Sequence, residues 1–120
     1  MEISKNKSRE EVIEAFSLMW GNYPAPVMLI TYKHDIIAVN EIYQQYGVST
    51  GQKCSSLPGN HKGCRAGEAK MSGKPVRCVA QAENSVVYDG YWIPVEGEYL
   101  IHFGNDITQY ADIEKVNASD

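Results

Sequence analysis

Three successive runs after Pro75, VRCVAQAE, SVVYDGYWIPV and EYLIHFGN, carry apolar and β-branched residues in alternation, joined only by Asn-Ser and Glu-Gly-Glu. A period of two sends alternate side chains to opposite faces of a strand, and connections this short can close only antiparallel pairs. The second half of the chain is therefore constrained to an antiparallel sheet. Two further short runs, Val27 to Tyr32 and Ile36 to Val39, flank the polar tripeptide Lys-His-Asp and read as a fourth and fifth strand in a tight hairpin.

Helical signals lie between and before these strands. Ser8 followed by Glu11 is a capping box, and Val12, Ala15, Phe16 and Met19 then fall on one face of a helix that Gly21 and Asn22 end. Asn40 suits the N-cap of a short helix, EIYQQY, closed by Gly47 in a left-handed conformation. Residues 48–62 have no period and read as loop. A helix of about two turns follows over Cys64 to Met71, closed by Gly73. Asp106 or Thr108 offers a cap for another helix near the end. The fold class is α+β: a five-stranded antiparallel sheet flanked by short helices, with an N-terminal helix.

Composition limits function. At 120 residues with 43% hydrophobic content the chain can bury the core of one domain. Its longest apolar run, APVMLI, is far too short for a membrane span, and the N-terminus lacks an apolar signal core, so the expected setting is cytoplasmic. A net charge of -4 argues against binding nucleic acid. Three cysteines cannot all pair within one chain, which fits reduced thiols.

In order and spacing the sequence resembles the PAS domains, small sensor modules of bacterial and archaeal signalling proteins. The residues that carry the resemblance are YPAPVMLITYKHDIIAVN, with its asparagine after the second strand, SGKPV before the third, and FGNDIT at the close. It implies strand order 2-1-5-4-3, with a ligand or apolar core held between the sheet and the central helices. On this basis residues 1–22 form a flanking helix, 23–109 the sensor domain, and 110–120 the start of a linker helix. A sensing rather than catalytic role is implied, relayed to an output domain or partner protein by dimerisation or the linker. The cysteine motif of the flavin-binding members is missing, CRAGEAKM lacks the histidine of many haem-binding members, and no cofactor is assigned.

The segment GQKCSSLPGNHKGCRAGEAKMSGKPVRC, residues 51–78, holds all three cysteines, with six basic side chains against one acidic. Cys54, His61, Cys64 and Cys78 could ligate a metal. The segment also resembles a subset of PAS sensors with a Cys-x-x-Cys before this helix. Aligned on Gly73, Cys64 takes the second place and His61 the first, a departure that leaves zinc or a mixed-ligand cluster as the metal reading. A redox reading favours Cys64 as the reactive thiol, since basic neighbours and a helix N-terminus both favour thiolate, with Cys54 or Cys78 as disulfide partner. A third reading gives the cysteines no chemistry, and Cys78 shares a strand face with Val76 and Ala80 as a core side chain would. Tyr46, Met71 and His102 are further candidates for ligand contacts, His102 sharing its face with Leu100 and Gly104. The competing function is a ligand-free dimerisation module in which Phe16, Met19 and Trp20 pack on a partner's sheet, giving a homodimer through the N-terminal helix. An enzyme using Cys64 with His61 or His102 lacks an orienting acid.

Overall fold

A computed structural model describes residues 7–54, 64–82 and 85–118. Helix α1 spans Arg9–Trp20, and its capping box closes in both directions: Glu11 N donates to Ser8 Oγ at 3.1 Å and Ser8 N to Glu11 Oε1 at 3.0 Å. The buried stripe of α1 is Val12 and Phe16, with Ile13 and Trp20 packed beside them. Ala15 and Met19, expected on that stripe, are exposed. The stripe is turned because Trp20 is drawn into a ring cluster, 5.2 Å from Phe103 and 5.3 Å from Tyr23. Phe16 and Trp20 thus pack on their own sheet, correcting the expectation that they pack on a partner's.

The sheet contains β1 (Val27–Thr31), β2 (Ile36–Val39), β3 (Val76–Gln81), β4 (Val87–Val95) and β5 (Tyr99–Asp106), in the order β2-β1-β5-β4-β3. Every neighbouring pair is antiparallel, as the alternation and the short connections require. In the β1–β2 turn Thr31 Oγ1 accepts from Lys33 N and Asp35 N, while His34 takes the left-handed conformation at φ 69. The remaining helices are α2 (Glu41–Gln45), α3 (Ala66–Ser72) and α4 (Ile113–Ala118). Gly47 and Gly73 are left-handed at φ 81 and 66, so both helix-closing glycines act as the sequence signalled.

β1 is buried along its whole length because it lies between two layers. Val27 and Leu29 point outward under α1, with Tyr99 and Phe103 of β5; Met28 and Ile30 point inward toward α3, with Ile36, Trp92 and Leu100. One buried side chain fixes this strand. Asn40 accepts from Val27 N at 3.0 Å and from Tyr43 N at 3.3 Å, and donates to Tyr23 O at 3.1 Å and Ala25 O at 2.7 Å. It caps α2 and anchors the Tyr-Pro-Ala-Pro entry to β1 at the same time.

The C-terminal helix begins later than expected. Asp106 Oδ1 accepts from Thr108 N and Thr108 Oγ1, and Thr108 Oγ1 accepts from Val87 N at 2.9 Å. These two residues close the sheet instead of capping a helix, and Asp112 serves α4, accepting from Lys115 N. The expected outcome for Asn40→Ala is a loss of about 3 kcal/mol in unfolding free energy, since one buried and three half-buried backbone groups lose their partner. Urea denaturation checks this, and a loss under about 1 kcal/mol would contradict the anchoring role.

Candidate functional site

The inward face of the sheet is built by strand alternation. Register places Val76 opposite Trp92, Cys78 opposite Gly90, Gly90 opposite Gly104, and His102 opposite both Trp92 and Met28. The two facing glycines have no side chains, and the rings of Trp92 and Tyr88 occupy that space. A Cβ on Gly90 would lie 3.3 Å from Cys78 O and 3.5 Å from the Trp92 indole, and one on Gly104 would lie 3.4 Å from the Tyr88 ring. His102 stacks on Trp92 at 4.4 Å with 13° between the planes. Its Nδ1 is 3.0 Å from Tyr91 O, a carbonyl that can only accept, so Nδ1 carries the proton. Nε2 is then the acceptor of the neutral ring.

Above this face lie Tyr43 of α2, Val48 and Cys54 of the following segment, and Ala66 and Ala69 of α3. Small residues on α3 allow close approach of helix and sheet. Burial pushes the Tyr43 hydroxyl up to about 12, with Tyr88, Cys54 and Tyr46 adding to the rise, so it stays a neutral hydrogen-bonding group. Burial also holds His102 below the ordinary histidine value of 6.5, and the bond to Tyr91 opposes that shift.

The sequence candidates separate in space. Cys54 and Cys78 are half-buried and pack at the margin of the inner cluster, whereas Cys64 is exposed. All three are thiols. His61 lies outside the described residues, and among the described residues no group of three or more His, Cys, Asp or Glu could hold a metal. α3 begins at Ala66, so Cys64 precedes its first turn instead of opening it, and that turn has no side-chain cap. Met71 is 86% exposed because it sits two positions, about 200°, around from the buried Ala69. Tyr46, the C-cap of α2, is 69% exposed. Neither lines the inner face.

The basic character of the segment is also less than local counting suggested. Lys53 pairs with Asp35 at 2.6 Å, and Arg77 makes two bonds to Asp89 at 2.6 and 3.0 Å. Sequence reasoning missed His34, whose Nδ1 lies 3.5 Å from Cys54 Sγ. The only signal was its place in a turn. Among the described residues no helix is long and apolar enough to cross a membrane.

Neither a family model nor a curated protein matches the sequence. Solved structures do match its shape. The phage VqmA–DPO complex aligns over 94% of this chain and 60% of its own, at 16% identity and a TM-score of 0.62. The PAS domain of Bordetella pertussis BvgS aligns over 92% of this chain and 96% of its own, at 15% identity and 0.54. The Vibrio cholerae VqmA dimer aligns over 88% and 54%, at 15% identity and 0.52. The chain thus spans little more than half of each VqmA chain and nearly all of the BvgS domain.

His102 generates a pH dependence of defined sign. The unfolded chain takes up the proton near pH 6.5, whereas the folded ring resists it to lower pH. Stability is therefore fully present above that value, falls as pH drops below about 6.5, and levels off once pH is under the lowered folded value. His102→Asn is expected to flatten this fall in denaturation curves taken between about pH 8 and 5. An unchanged fall would contradict the burial of a neutral ring.

Proposed function

The chain has the PAS fold, and from that premise we propose that it is a signal-sensing module whose cue is a small planar molecule. The molecule binds between the inner sheet face and helices α2 and α3. The observation that carries this reading is the stacked Trp92–His102 pair beside the facing Gly90 and Gly104. Aromatic planes packed over glycine positions suit a flat ring that would displace or extend the stack, and Nε2 of His102 and the hydroxyl of Tyr43 supply an acceptor and a donor. The phage VqmA structure contains DPO, which makes that compound a reasonable first probe.

Relay runs through a homodimer formed by α1, with residues 110–120 as the start of a linker to an output domain or partner protein. Leu18 is 86% and Met19 78% exposed, an apolar pair on the helix surface that its own sheet does not cover. The dimer named for Vibrio cholerae VqmA is in keeping with this arrangement. The three thiols and the odd cysteine count support a reducing, cytoplasmic setting. Catalysis is no part of the proposal.

Thermal unfolding against DPO and a panel of planar heterocycles tests the site. A binder is expected to raise Tm by several degrees in the native protein, consistent with linkage, and to lose that effect in Trp92→Ala. Absence of any binder across the panel, or a shift that survives Trp92→Ala, would contradict it. For the relay, the double substitution Leu18→Glu and Met19→Glu is expected to convert the dimer to monomer in sedimentation experiments. Persistence of the dimer would remove α1 from the interface.

A further inference from the structure

The turn at residues 33–35 and the segment at 52–54 are clipped together residue by residue. Ile36 N donates to Gln52 O at 2.8 Å, Asp35 bridges Lys53 in antiparallel register, and Cys54 N donates to His34 O at 3.0 Å. Lys53 reinforces the clip with its ion pair to Asp35 and a 3.1 Å bond to Lys33 O. These backbone contacts hold two chemically complementary side chains against each other, Cys54 Sγ and His34 Nδ1, 3.5 Å apart. His34 can present Nδ1 there because its backbone is left-handed, and Cys54 is half-buried beside Tyr43.

We infer that Cys54 is the chain's reactive thiol, with His34 as its base, and that a hydroperoxide oxidises it to the sulfenic acid. The inference goes beyond the ligand reading and stands whether or not a planar molecule binds. With His34 protonated at Nε2, Nδ1 takes the thiol proton as the sulfur attacks the terminal peroxide oxygen. An S–O bond forms as the O–O bond breaks, and the leaving hydroxide or alkoxide takes the proton from His34 to give water or an alcohol. The sulfur loses two electrons and the peroxide gains them. The added oxygen then stands where Sγ met Nδ1, so the two side chains must part and the clip loosens.

This assignment displaces Cys64, which is exposed and precedes an uncapped turn. Among the described residues, the charged and titratable groups at Cys54 include His34, the Lys53–Asp35 pair of the clip, and Tyr43 from α2. Limited labelling of the full chain with iodoacetamide, resolved by site with mass spectrometry at several pH values, tests the pair. Cys54 is expected to react about tenfold faster than Cys64 near neutral pH despite its lower exposure, with a flatter pH profile. His34→Asn, which tolerates the left-handed turn but cannot take the proton, is expected to slow Cys54 about tenfold and leave Cys64 unchanged. Hydrogen peroxide with dimedone is expected to give an adduct at Cys54. A Cys54 no faster than Cys64 in the native protein overturns the inference, as does indifference to His34→Asn or an adduct at Cys64 alone. The native comparison decides the matter even where the variant does not fold.

Discussion

Asn40 is the side chain on which the two-layer arrangement depends. A buried amide has two donors and two acceptor lone pairs, and all of this capacity is used: toward Tyr23 and Ala25 before β1, toward Val27 within it, and toward the first turn of α2. Leaving any of these groups unpaired in the interior costs more than the bond itself contributes. The entry to β1, its register and the direction of α2 are therefore fixed together. Because β1 is a central strand, its register decides which residues face each layer, and a slip of one residue would exchange Met28 and Ile30 for Val27 and Leu29.

That division separates two kinds of surface. The outward layer holds an aromatic cluster in which Phe103 touches Trp20, Tyr23 and Tyr91 and Tyr23 anchors its hydroxyl on Asn105, beside a cavity of about 540 Å³ between α1 and the sheet. Such packing suits a rigid platform for association. The inward layer mixes rings packed over glycine positions with a neutral histidine and a protonated tyrosine hydroxyl. Polar handles at the edge of an apolar layer suit recognition. At its margin the Cys54–His34 clip joins the β1–β2 turn to the segment that leads toward α3.

Features set by local chemistry could be read from sequence. The Ser8–Glu11 box, the Asn40 cap, the left-handed Gly47 and Gly73, and the alternation of β3 to β5 each need only neighbours a few residues away. The strand order needed the family resemblance as well. What escaped depends on contacts distant in sequence: the turning of α1 toward Phe103, the recruitment of Asp106 and Thr108 to Val87, and the neutralisation of Lys53 and Arg77 by acids outside the cysteine segment. Alternation alone gives the strand-face companions of Cys78 and His102, while the exposure of Tyr46 and Met71 and the partner of Cys54, twenty residues away, depend on the folded chain.

The two tryptophans lie on opposite layers, Trp92 inward and Trp20 outward, so their indole N–H signals report the layers separately. A nitrogen-15 correlation spectrum recorded during titration with a planar heterocycle that raises Tm addresses the central claim directly. The Trp92 indole is expected to shift in saturable fashion while that of Trp20 holds still. A saturable shift at Trp20 with Trp92 unmoved would contradict the claim that the inner face is where the chain receives its cue.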